Sequence, residues 1–151
     1  MEFLAGRPNT VVMVGAYDVG KERIFKAIAA SLDCKLWGDQ RRLATWRCLE
    51  DEEILSRVVE DRARAQVQVI RNNQVNWAKL GMEFDAIKSG GCWSHVLGVR
   101  PTGWSHSRGE RAEDSLVSVN IVTRGQVSLL EVPYSEHSSY GGQLYLLVGY
   151  M

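Results

Sequence analysis

Thr10-Val11-Val12-Met13-Val14 is an unbroken apolar, largely β-branched run that stops at Gly15. The run does not alternate, which predicts a strand buried on both faces, and strands of that kind belong to parallel sheets with helices on either side. A helix follows at once. From Lys21 to Leu32 the apolar residues Ile24, Phe25, Ile28, Ala29 and Leu32 recur at helical spacing, while Lys21, Glu22, Arg23 and Lys26 supply the polar side. The alternation continues with a short strand over Lys35 to Trp37, a helix over Gln40 to Arg47 and a strand over Gln66 to Ile70. A helix over Gln74 to Ile87, carried by Val75, Leu80, Phe84 and Ile87 and weakened by Gly81, ends at Gly90-Gly91. Trp93 to Val99 and Gln126 to Val132 read as further strands and Val117 to Val122 as a weaker one, whereas Arg100 to Asp114 is loop by composition. This order predicts a three-layer α/β architecture with a mostly parallel sheet.

A chain of 151 residues is long enough for one core. Its 18 Lys and Arg balance 18 Asp and Glu, so no global positive field draws it to nucleic acid, and any such contact requires a local basic cluster. The longest apolar run near the C-terminus, Leu144 to Val148, is far below the ~20 residues of a membrane span, so no membrane association is expected. Met1-Glu2-Phe3-Leu4 lacks the positive charge of a secretory leader, which points to a reducing, intracellular setting. Cys34, Cys48 and Cys92 form no CxxC pair and are expected to be small buried apolar residues, neither disulfides nor zinc ligands.

Three segments carry chemistry. Gly15-Ala16-Tyr17-Asp18-Val19-Gly20-Lys21-Glu22 fits the phosphate-loop pattern G-x4-G-K-[ST] except at its last position, where Glu22 replaces the hydroxyl that ligates Mg²⁺. It reads either as a nucleotide-phosphate cradle or as a tight strand-to-helix turn with Lys21 facing some other anion. Arg100-Pro101-Thr102-Gly103-Trp104-Ser105-His106-Ser107 gathers a guanidinium, hydroxyls, an indole and an imidazole, donors that suit phosphate oxygens. In it, Trp104 fits the core or a base stack, and His106 reads as solvent-exposed. Val132-Pro133-Tyr134-Ser135-Glu136-His137-Ser138-Ser139-Tyr140 sets one histidine beside a carboxylate and hydroxyls. Such a group is either a structural strand end or a titrating centre.

Taken in order, Val14 to Tyr17 with Gly20-Lys21-Glu22, Arg100 to Trp104, and Pro133 to Tyr140 resemble the C-terminal half of the DNA cross-link repair nucleases, the metallo-β-lactamase/β-CASP family. The resemblance runs from about Pro8 to Tyr140 and leaves out Gly141 to Met151. It implies a β-CASP α/β region over residues 8–110, a return segment over 111–140 toward the metallo-β-lactamase region, and an atypical tail over 141–151. The strand of that return segment is expected to have an open edge and to leave the chain marginally stable.

The resemblance also implies a 5′ to 3′ exodeoxyribonuclease of interstrand cross-link and double-strand-break repair in the nucleus, hydrolysing phosphodiesters at a di-metal zinc site. Its partner is DNA with 5′-phosphorylated ends, single-stranded or cross-linked. The family's HxHxDH motif is not in this sequence, and His95, His106 and His137 are too far apart to replace it. The chain therefore reads as a fragment that binds no zinc alone and is expected to be inactive alone. His137 corresponds to the family's histidine beside the scissile phosphate, with Ser135, Glu136, Ser138 and Ser139 as supports for its ring. Lys21, Arg100, Thr102 and Gly103 are expected to hold DNA phosphates. Two other functions follow from the same residues: a DNA-binding or interaction fragment without catalysis, and a nucleotide-binding α/β protein built on Gly15 to Lys21.

Overall fold

A computed structural model of the chain describes residues 2–90, 92–102 and 121–133. The first apolar run extends to form β1 (Thr10–Ala16), buried along its whole length. After the short helix α1 (Glu2–Ala5) and β1 come α2 (Glu22–Ser31), β2 (Leu36–Gly38), α3 (Gln40–Leu49) and a one-turn helix α4 (Glu52–Leu55). The second half contains β3 (Val67–Arg71), α5 (Trp77–Lys88), β4 (His95–Thr102), β5 (Ile121–Arg124) and β6 (Val127–Pro133).

The six strands form one sheet in the order β2-β3-β1-β4-β6-β5. All pairings are parallel except that of β5 with β6. Residues of one parity on β1, Val12, Val14 and Ala16, join Val67, Val69, Leu97, Val99 and Leu130 under α2, α3 and α4. The other parity, Val11 and Met13, joins Ile70, Val96 and Leu129 under Val75 and the α5 residues Leu80, Phe84 and Ile87. This is why the sequence of β1 reads as continuously apolar: each parity has its own helical layer to meet. Fully burying side chains of this size contributes roughly 1.5–3 kcal/mol each.

The connections from β1 to β2 and from β3 to β4 run in opposite directions on opposite faces. The second carries the chain across β1, which places β1 at the centre of the sheet with β3 and β4 at its sides. In open α/β sheets the crevice beyond the C-terminal ends of such strands is the usual ligand site.

Three expectations are corrected. Arg100 to Thr102 continue strand β4 instead of opening a loop, because β6 offers a ladder as far as the Thr102–Pro133 pair. The strand over 127–133 has no open edge, since β4 covers one side and β5 the other. Both sheet edges are short strands, three residues in β2 and four in β5, which limits edge-to-edge pairing. The cysteines are all free, but Cys48 and Cys92 are exposed: Cys48 lies off the inward stripe of α3 formed by Arg42, Leu43 and Trp46, and Cys92 precedes β4. Cys34 is half-buried, and burial pushes its thiol up to about 11.

Candidate nucleic-acid interface

The C-terminal ends of β1, β3, β4 and β6 share one edge of the sheet, and the described parts of the three sequence segments, residues 15–22, 100–102 and 132–133, lie there. Gly15 lies inside β1, paired with Ile70 of β3. A Cβ on Gly15 would come within 2.6 Å of Asn72 Oδ1 and 2.8 Å of Val75 Cγ2. This glycine therefore makes room for the 3-10 turn Asn72–Gln74 that follows β3, and does not open a phosphate cradle.

The loop after β1 turns through Gly20 at φ 105° and Lys21 at φ 70°, and Lys21 caps α2. A left-handed φ at a non-glycine residue costs about 1–2 kcal/mol and persists where the surroundings impose it. Here they do, at three points. The Glu22 carboxylate accepts a hydrogen bond from the Gly20 amide at 2.6 Å. Arg41 pairs with Asp18 at 2.6 Å. Arg42 Nη1 donates to the Tyr17 carbonyl at 2.6 Å. In a phosphate loop such an amide faces the nucleotide; in this chain it already holds a carboxylate, which counts against the nucleotide-binding reading.

Arg42 is the buried cation of this edge, only 4% exposed. It reaches the loop because Gly38 leaves space: a Cβ there would meet Arg42 Cδ at 2.9 Å and the Trp46 ring at 2.8 Å. Burial pulls the guanidinium below its usual range, opposed by the carboxylates of Asp39, Asp18 and Glu22, with Arg71 adding to the depression. Asp39 also caps α3, accepting from the Arg42 amide at 2.9 Å. Arg71 ends β3 beside Ala16 of β1, is exposed, and forms no ion pair among the described residues.

Arg100 and Thr102 are brought to the same edge, in β4 next to β1. Arg100 forms an ion pair with Glu131 of β6, and its buried Nε has no partner among the described residues. Thr102 Oγ1 donates to the Val132 carbonyl at 3.3 Å. Gly103, Trp104, His106, Ser135, Glu136, His137, Ser138 and Ser139, and the tail 141–151, lie outside the described residues. Sequence reasoning missed Arg42 and Arg71. The helix signal for Arg42 was present in the Asp39 cap, but a charged residue on the inward stripe of a helix is read as solvent-facing until its partner loop is known.

The opposite edge holds the one described histidine. His95 is buried, its Nε2 lies 2.9 Å from Ser128 Oγ, and Ser128 Oγ lies 2.8 Å from Thr123 Oγ1. Burial, with a smaller contribution from Arg7, lowers its pKa from 6.5. Among the described residues no three His, Cys, Asp or Glu side chains group to hold a metal, so they offer no donor set that fits a zinc ion. No helix among them is long and apolar enough to cross a membrane.

A mostly parallel α/β sheet of this kind agrees with the architecture expected from the sequence, and residues 52–143 match the DNA repair metallo-beta-lactamase family; the chain belongs to that family. It is similar to the DNA cross-link repair 1A protein of Homo sapiens, 37% identical over 133 residues, which covers 88% of this chain and 12% of that protein. It is also similar to the DNA cross-link repair 1A protein of Gallus gallus, 32% identical over 142 residues (92% of this chain, 14% of the relative). The DNA cross-link repair protein SNM1 of Arabidopsis thaliana is 29% identical over 139 residues, covering 92% of this chain and 28% of the relative. The chain thus spans a small part of the length of the proteins it matches.

Proposed function

We propose that this chain is the DNA-holding part of a cross-link repair nuclease. The C-terminal edge of its sheet receives the phosphate backbone of a 5′-phosphorylated strand, and His137 stands beside the scissile phosphate. The observation that supports this most is the family match over residues 52–143 together with the 37% identity to a DNA cross-link repair protein. The placement of Lys21, Arg71, Arg100 and Thr102 on one sheet edge adds to it. Lys21 stands at the start of α2, where the helix dipole favours an anion, and Arg100 reaches a phosphate by exchanging Glu131 for it. Thr102 gives a hydroxyl donor by turning it from the Val132 carbonyl to the phosphate, and Gly103 gives an amide. Ser135, Glu136, Ser138 and Ser139 fix the ring of His137, which stabilises charge on the phosphate or gives a proton to the leaving oxygen.

The complete enzyme's reaction is 5′ to 3′ exonucleolytic hydrolysis in the nucleus, and bound zinc would supply the activated water. This chain lacks the HxHxDH motif, so its own contribution is to hold and orient the strand and to set His137 at the scissile phosphate. The test has two arms. In a filter-binding titration against a 5′-phosphorylated single strand, Lys21→Ala with Arg100→Ala weakens binding and lowers the salt slope by about 1.4. An unchanged affinity and slope would refute the phosphate assignment. In the second arm the same strand is incubated with Zn²⁺, with chelator, and with His137→Ala. No cleavage above the mutant control is expected from the chain alone, and metal-dependent cleavage lost in His137→Ala would show that it is a complete enzyme.

A further inference from the structure

Five large apolar residues are exposed among the described residues, and two of them, Tyr17 at 61% and Val19 at 66%, sit in the one loop that is pinned three times. A lone exposed apolar side chain needs no explanation, but two on a loop whose backbone is fixed form a preorganised contact. The pins also decide its charge. Asp18 pairs with Arg41 at the surface and Glu22 accepts from the Gly20 amide, so both carboxylates of the loop already have partners within the chain. Beside them, next to Ala16, stands the exposed Arg71. An aromatic ring, an isopropyl group and a guanidinium at the C-terminal edge of a sheet match one nucleotide: a base has an apolar face for the ring, and its phosphate a charge for the arginine. Two exposed apolar side chains are far fewer than the roughly 20–30 residues a side of a standard protein interface.

We propose that Tyr17, backed by Val19, is a stacking platform for one unpaired base of a DNA single strand, and that Arg71 takes the adjoining phosphate. This rests on the DNA-binding reading above and adds a positioning residue to it: Tyr17 sets which nucleotide is held, and thereby the register of the strand along the sheet edge. Its tyrosine ring reads no base identity, so the platform tolerates any sequence.

The test is fluorescence anisotropy of the full chain with a short 5′-phosphorylated oligothymidine and with the same strand carrying a single abasic residue at successive positions. Tyr17→Ala is expected to raise Kd about tenfold and Tyr17→Phe to leave it unchanged. Removing the base at one position weakens the wild type by a similar factor and leaves Tyr17→Ala indifferent. Because Tyr17 is exposed, thermal melts of both variants should overlay the wild type. Equal abasic losses in wild type and Tyr17→Ala, or unchanged Kd in Tyr17→Ala, would overturn the platform while leaving the DNA reading intact. Absence of any binding by the wild type would overturn both. A change in self-association by sedimentation with unchanged DNA affinity would assign the patch to a second copy and overturn the proposal.

Discussion

Gly15→Ala separates the packing role of this glycine from a phosphate-loop role. The added methyl would stand 2.6 Å from Asn72 Oδ1, 2.8 Å from Val75 Cγ2 and 3.1 Å from Asn72 Cα. Asn72 Oδ1 is buried and has no hydrogen-bond partner among the described residues, so among them nothing holds its side chain against giving way. Val75 is 1% exposed, β-branched and wedged under α5, and the Asn72 backbone is held by the turn, so neither yields. Overpacking of this kind costs about 1–3 kcal/mol. For a chain of this size a loss of about 2 kcal/mol lowers Tm by roughly 4–8 °C. Urea unfolding should therefore show a lower midpoint with an unchanged slope. Asn72→Ala should relieve part of the loss, with a coupling of about 0.5 kcal/mol or more in the double-mutant cycle. A Gly15→Ala chain as stable as the wild type would refute the packing argument.

Two further perturbations test other parts of the structure. Arg62 lies 4.6 Å over the Trp37 ring, donates to Gln68 Oε1 at 2.8 Å and pairs with Glu83 at 2.6 Å, and Gln68 is fully buried. Arg62→Ala strips a buried amide oxygen of its donor, so unfolding experiments should show a loss of about 2–3 kcal/mol, with Arg62→Lys restoring only part of it. His95 has a depressed pKa in the folded chain, so the unfolded chain binds the proton more readily. Stability is then complete above the unfolded value near 6.5 and falls as pH drops through it, at no more than about 1.36 kcal/mol per pH unit, until the folded value is reached. Melts of wild type and His95→Gln across this window should differ in slope, and parallel curves would exclude His95 as the titrating group.

The parallel core was legible because its strands are buried on both faces: β1, β3 and β4 carry continuous or nearly continuous burial, and α2 has a full apolar stripe. The hairpin of β5 and β6 was not, although Gly125 at φ 60° opens a two-residue turn suited to it. Edge strand β5 is largely exposed and shows no alternation, so the weak strand signal over Val117 to Val122 overlaps it only at Ile121 and Val122. At the candidate interface, Lys21 and Arg100 stood out within motifs and lie at one end of the sheet's strands. Arg42 and Arg71 did not stand out, because their role depends on Gly38 sparing room and on β3 ending beside β1. Those are properties of the tertiary arrangement, not of neighbours in the chain. The same holds for Glu22, whose departure from the phosphate-loop pattern is explained by the Gly20 amide it accepts from.

Hydrogen exchange of the full chain, with and without a short 5′-phosphorylated single strand, tests the assignment of the DNA interface most directly. The predicted result is slowed exchange from Ala16 to Arg23, from Arg71 to Val75 and from Arg100 to Thr102, with the opposite edge around Thr10 and His95 unchanged. Protection confined to that opposite edge or to α5, or no protection at saturating DNA, would contradict the placement of DNA on the C-terminal edge of the sheet.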